Sequence, residues 1–213
     1  MSILNEISEL IQKGNAKLVP EKVKEALSQG ISAEQILNEA LVAGMSVVGE
    51  KFKNNEIYVP EVLIAARAMK AGMEILKPIL TETGVKPVGK VIIGTVKGDL
   101  HDIGKNLVAM MMIGAGLEVI DLGVDVDSEK FIQAIKEHQP QVVAMSALLT
   151  TTMPQMKNII DEINNQGLRN QVKIMVGGAP VTERFAKEIG ADAYTPDAAS
   201  AAEVAKQFAM NVA

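Results

Sequence analysis

The sequence predicts a chain in two parts: a four-helix bundle over residues 1–83, and a parallel α/β domain over residues 88–213. Three observations carry this reading. Apolar residues in the first part recur at three- and four-residue intervals, the helical period. After residue 87 the pattern changes to short β-branched runs that alternate with amphipathic segments. Between them, Thr81-Glu82-Thr83-Gly84-Val85-Lys86-Pro87 is polar and carries glycine and proline, and residues 84–87 are taken as the linker.

In the first part, Ile3, Ile7, Leu10 and Ile11 mark one helix and Val23, Ala26 and Leu27 a second, with Pro20-Glu21 suited to its first turn. Ser32-Ala33-Glu34-Gln35 has a capping-box pattern and opens a third, which runs through Ile36, Leu37, Leu41, Met45 and Val48. A fourth starts near Val59-Pro60-Glu61 and continues through Val62, Leu63, Ala66, Met69, Met73 and Leu76. Four helices on short turns make an antiparallel bundle, a scaffold that says little about function.

In the second part, strands are expected at 88–96, 117–122, 142–146, 172–176 and 191–194. Helices are expected from Ile103 through Leu107, Met110 and Met111, then at 128–138, 153–166, 183–189 and 200–210. Five strands alternating with five helices imply a parallel sheet wound on both faces, and the flavodoxin-like (Rossmann-like) order 2-1-3-4-5 follows for five strands. Such sheets bind ligands at the carboxyl ends of the strands where the winding direction switches, here between the first and third strands. The loops at that point are Lys97–Asp102 and Ala147–Thr152.

Composition removes several function classes. The chain is 48% hydrophobic and 22% charged, enough for an ordinary packed core. No run approaches the roughly 18–20 apolar residues of a membrane span, and the N-terminal stretch lacks a signal-peptide pattern. A cytoplasmic location without membrane contact is therefore the expectation. The net charge of −5 is spread along the chain, and aromatics make up 3%. No basic stripe or stacking platform points to nucleic acid. The absence of cysteine excludes disulfides, iron–sulfur clusters, thiolate zinc sites and a cysteine nucleophile. Imidazole chemistry must use His101 or His138, the two histidines present.

The loop after the first strand reads Gly98-Asp99-Leu100-His101-Asp102-Ile103-Gly104. It is neither a phosphate loop nor a dinucleotide loop. It offers one histidine with carboxylates at −2 and +1. A neutral imidazole can bind a metal through one nitrogen while a carboxylate orients the other N–H. Asp99 is the better orienting group, because Asp102 is placed to begin the following helix. Gly104 leaves room beside the helix for something bulky. His138, ahead of Gln139-Pro140, reads as a helix C-terminal residue favoured by the dipole. Thr152-Met153-Pro154-Gln155 reads as a capping box. Met110, Met111 and Met112 read as adaptable core, and Lys97 and Lys105 as solvated.

Asp99-x-His101-x-x-Gly104 resembles the corrinoid-binding motif of the B12-binding domain family. Ser146-Ala147-Leu148 followed by Thr150-Thr151-Thr152 resembles the family's Ser-x-Leu segment. Gly177-Gly178-Ala179 resembles its glycine pair lining the pocket for the displaced nucleotide tail, and Tyr194 to Ala198 its closing segment. In the helical part, Gly49-Glu50-Lys51-Phe52 and Tyr58-Val59-Pro60-Glu61-Val62 resemble the cap that covers the upper corrin face. The similarity extends to the small corrinoid subunits of methylamine, methanol, glycine betaine and methoxy-aromatic methyltransferase systems.

The resemblance implies a cobalamin or related corrinoid cofactor, with His101 as lower cobalt ligand and Asp99 and Thr152 completing a proton relay. Family members related to methionine synthase carry serine where Thr152 stands. Gly98, Leu100, Asp102, Ile103, Gly104, Ser146, Leu148, Thr150, Gly177, Gly178, Tyr194 and Ala198 would contact the cofactor, with Phe52, Val59 and Val62 forming an apolar lid. The implied function is a methyl carrier between a substrate:corrinoid methyltransferase and a corrinoid:acceptor methyltransferase, kept active by a reductive activation protein. The donor is not legible, although methoxy-aromatics or a quaternary amine are favoured. An adenosylcobalamin mutase subunit, which would not need the helical cap, and a B12-dependent sensor, which would need a further signalling segment, are the alternatives.

Overall fold

The computed structural model describes residues 2–211. They divide into two compact units: the chain up to Pro87 together with Gly114–Gly116, and Val88–Ile113 with the chain from Leu117 onward. No helix among the described residues is long and apolar enough to cross a membrane.

The first unit is built from α1 (Ile3–Gln12), α2 (Leu18–Ser28), α3 (Ala33–Ile36), α4 (Ala43–Lys53) and α5 (Val59–Glu82). A π-helical segment, Leu37–Val42, joins α3 to α4 without a break, so the third predicted helix is one rod with a widened turn inside it. Ser32 accepts the Gln35 N–H at 3.1 Å, capping α3. The apolar stripe read from the sequence becomes the core: Ile7, Ile11, Val23, Ile36, Leu41, Met45 and Leu76 are fully buried. Gly72 lets α5 close on Leu41 and Val19, whose methyl carbons lie 3.0 Å from where a Cβ would stand. Helix α5 runs through Glu82. The Thr81 and Thr83 hydroxyls bond back to the carbonyls of Lys77 and Ile79, four residues earlier. The first residues of the expected linker stretch are therefore helical.

The second unit alternates β1 (Lys90–Thr95), α6 (Ile103–Gly114), β2 (Glu118–Asp121), α7 (Ser128–His138), β3 (Val142–Ser146), α8 (Pro154–Asn165), β4 (Lys173–Gly177), α9 (Glu183–Ile189), β5 (Ala193–Tyr194) and α10 (Ala198–Asn211). All strand pairs are parallel, and the sheet order is β2-β1-β3-β4-β5, as the sequence predicts. Val91, Ile92, Val142, Val143, Ile174 and Val176 are buried, as expected for strands covered on both faces. Register sets the ends level: Thr95 pairs with Ser146 and Ser146 with Gly177. The loops after β1, β3 and β4 therefore leave the sheet side by side.

Two expectations need correction. Met110, read as core with its neighbours, is exposed on α6, whereas Met111 and Met112 are buried as expected. Lys105 is buried, with its ammonium donating to Asp121 at 2.5 Å and to the Asn106 side chain at 2.7 Å. A lysine in the first turn of a helix can only be that deep if its charge is paired.

Candidate functional site

Asp99 is the centre of the site. It is fully buried, and its two carboxylate oxygens accept bonds from two different loops. Oδ1 accepts the His101 N–H at 3.1 Å and meets His101 Nδ1 at 2.7 Å. Oδ2 accepts the Leu148 N–H at 2.7 Å, the Leu149 N–H at 3.3 Å and the Thr152 hydroxyl at 2.8 Å. Burial alone would raise the carboxyl pKa. The bonds from Leu148, from the His101 ring and N–H, and from Thr152 outweigh it and hold the group well below the usual carboxylate range. Asp99 is therefore an anion at every ordinary pH.

An anion at 2.7 Å fixes the histidine tautomer: Nδ1 carries the proton and donates it to Asp99. In that tautomer Nε2 carries the lone pair, and it has no hydrogen-bond partner among the described residues. The ring is half exposed, so that lone pair is reachable from outside.

The three loop ends lie together because Gly178 permits it. Its φ is +126°, and a Cβ there would lie 1.9 Å from the Ala147 carbonyl oxygen. Only glycine lets the loop after β4 touch the loop that carries Leu148. Around His101 the surface is unusually apolar. Leu100 and Ile103 are 72% and 79% exposed, and Leu148 and Leu149 are exposed as well. A Cβ on Gly104 would meet nothing within 4 Å. Exposed apolar side chains grouped about one available nitrogen mark a ligand surface.

Among the remaining expected residues, Ser146 is half-buried at the end of β3, and Thr150 is exposed. Gly177 closes β4. Tyr194 ends β5 and, with Glu183, Lys187 and Pro196, lines a cavity of about 400 Å³. Ala198 is buried at the start of α10. Asp102 immediately precedes α6, its carbonyl accepting the Asn106 N–H at 2.7 Å. In the helical unit, Phe52 and Val59 are half-buried and Val62 is fully buried. Thr152 does not cap α8: its hydroxyl bonds to Asp99 and to the Leu149 carbonyl, and the helix begins without a side-chain cap. The capping-box reading fails because the Thr152 side chain is turned toward Asp99 and the Leu149 carbonyl, and no backbone N–H of the first turn of α8 bonds to its oxygen.

Thr95, Leu149 and Asp125 were not singled out from the sequence, yet all bond to this loop system. Thr95 was hidden inside a β-branched run. The Gly123-Val124-Asp125 turn was the one available signal for Asp125.

The B12 binding domain family matches residues 89–205, and a second family of the same description matches residues 3–77. The chain belongs to the B12-binding domain family. This B12-binding protein is 43% identical over 212 residues to the trimethylamine corrinoid protein of Methanosarcina barkeri, covering 99% of this chain and 97% of that one. It is similar to the methanol:cobalamin methyltransferase complex MtaBC of M. barkeri, with a TM-score of 0.87, 30% identity, and 97% and 79% of the two chains covered. It is also similar to a cobalamin-binding protein of Desulfitobacterium hafniense, with a TM-score of 0.80, 30% identity, and 96% and 98% covered.

Proposed function

We propose that this corrinoid protein carries a methyl group between a substrate-specific methyltransferase and a second methyltransferase serving an acceptor such as tetrahydrofolate or a thiol coenzyme. One observation supports this most directly: a half-exposed histidine whose Nδ1 is held at 2.7 Å by a buried carboxylate, leaving Nε2 free to ligate. The residues fit a corrinoid. His101 would supply a cobalt ligand, Leu100, Ile103, Leu148 and Leu149 would offer an apolar face to the macrocycle, and Gly104 leaves clearance beside α6. Ser146, Gly177, Gly178, Tyr194 and Ala198 stand at or beside strand ends or a helix start, and Thr150 in the loop after β3, where a nucleotide tail would be received.

When bound, the corrinoid supplies a cobalt centre that takes up and gives up a methyl group. The chain supplies orientation. Asp99 keeps the Nδ1 proton in place, so Nε2 is the basic nitrogen whenever the ring serves as ligand, and the Thr152 hydroxyl steadies the carboxylate from the other side. Asp99 would thereby serve the proton relay that the resemblance implies for it with His101 and Thr152.

A substrate:corrinoid methyltransferase is the partner that the MtaBC relative supports, and a reductive activation protein and a cytoplasmic setting complete the proposal. The trimethylamine name of the M. barkeri relative favours a methylated amine as donor over the methoxy-aromatic or quaternary amine first favoured.

The test is a visible spectrum of the purified protein reconstituted with hydroxocobalamin, beside His101→Ala. Stoichiometric retention by the wild type, with a spectrum changed by the substitution, is the expected result. A folded wild type that does not retain the corrinoid refutes the proposal.

A further inference from the structure

We infer that Thr95 and Asp125 are positioning residues that pin the backbone of the histidine loop at two points, fixing where His101 presents Nε2. The inference rests on the corrinoid reading above and adds two residues to it.

The Asp99–His101 bond alone does not place the ring in the molecule. The two residues lie in one loop, two positions apart. A bond between them orients the ring relative to the loop but not relative to the sheet. The loop from Val96 to Asp102 has one backbone bond of its own, from the Asp99 N–H to the Val96 carbonyl at 3.1 Å. Its placement must come from outside.

Thr95 supplies one anchor. It is the last residue of β1, fully buried, and its N–H and carbonyl are already engaged by Gly123 and Val126, each at 3.0 Å. Its hydroxyl is free for a different task and donates to the His101 carbonyl at 2.8 Å. A valine would complete the same strand, so the sheet does not require the hydroxyl.

Asp125 supplies the other anchor, from the loop after β2. Its carboxylate accepts the Gly98 N–H at 2.7 Å, and its own N–H donates to the Asp99 carbonyl at 3.0 Å. It grips both sides of the Gly98–Asp99 peptide. To do so it adopts a left-handed backbone, φ +54°, and Gly98 adopts φ +81°. An exposed acid in that conformation adds nothing to the core, so its observed use is this grip. With Leu148, Leu149 and Thr152 holding Asp99 from the β3 loop, the histidine loop is tied to the ends of three neighbouring strands.

The test uses the full chain reconstituted with hydroxocobalamin, in five forms: wild type, Thr95→Val, Thr95→Ser, Asp125→Gly and Asp125→Asn. Asp125→Gly keeps the left-handed backbone and removes only the acceptor, while Asp125→Asn keeps an acceptor oxygen and tolerates the conformation. Two quantities are read: the ratio of histidine-bound to histidine-free corrinoid from the visible spectrum, and the melting midpoint of the corrinoid-free protein. Thr95→Val and Asp125→Gly are expected to retain corrinoid with that ratio lowered about tenfold, as the loss of one anchoring bond implies. Thr95→Ser and Asp125→Asn are expected to match the wild type. If both disruptive variants keep the wild-type spectrum, whatever their melting midpoints, the inference is overturned, and the same holds if Thr95→Ser fails as Thr95→Val does. Should Thr95→Val not fold, the surface variant Asp125→Gly decides alone. A wild type with no histidine-bound spectrum would overturn the corrinoid reading instead.

Discussion

Replacing Asp99 by asparagine changes one atom and should cost the protein a large part of its stability. The carboxylate accepts bonds from the His101 N–H, the His101 ring, the Leu148 and Leu149 N–H groups and the Thr152 hydroxyl. All of these are donors as the site stands, and an amide nitrogen placed among them has nothing to bond to. The cheapest arrangement keeps the amide oxygen at Leu148 and turns the nitrogen toward His101, whose ring can switch its proton to Nε2. That rescue strands the His101 backbone N–H and blocks the nitrogen proposed as ligand. A buried unsatisfied donor costs about 1–3 kcal/mol, and each remaining bond falls from a charge-assisted to a neutral one, for a total of about 3–5 kcal/mol.

The pH dependence has a definite sign. The folded pKa lies below the ordinary value of 3.8, so the unfolded chain takes up the proton first as pH falls. The contribution of the ionised carboxylate is therefore complete above about pH 5 and shrinks as pH drops below 3.8 toward the folded pKa. Urea unfolding of wild type and Asp99→Asn at several pH values, compared at equal m, measures both quantities. The gap should narrow as the pH falls below about 3.8. A gap under about 0.5 kcal/mol at pH 7 would refute the view of Asp99 as the bonded centre of the site.

Two glycines should behave oppositely. Gly178→Ala forces a Cβ to 1.9 Å from the Ala147 carbonyl oxygen, so it should destabilise by about 3 kcal/mol or more and lower corrinoid retention, read by melting and by gel filtration with bound absorbance. Gly104→Ala meets nothing within 4 Å and should stabilise the corrinoid-free protein by about 0.5–1 kcal/mol through helix propensity, while its methyl group weakens corrinoid binding. Lys105→Met removes a buried ammonium from Asp121. Because the Asp121 side chain is 42% exposed and can rehydrate, the expected loss in urea unfolding is about 1–3 kcal/mol, below that of a fully buried pair.

The sequence by itself determined the architecture, because periodicity is a local property. Intervals of three and four gave the helices, β-branched runs gave the strands, and alternation of the two left one sensible sheet order. It also singled out Asp99, His101 and Gly104, since their chemistry and spacing lie within one loop. The inclusion of Thr152 came from resemblance, and the same residue read as a cap from local pattern alone. Thr95, Asp125 and the buried pair of Lys105 with Asp121 were decided by the tertiary structure only. Asp125 and Lys105 bond across the paired strands β1 and β2, while Thr95 bonds to a loop that folds back over the end of its own strand. Whether a polar side chain finds water, a backbone group or a buried anion depends on what the sheet sets beside it, and no local pattern encodes that neighbour.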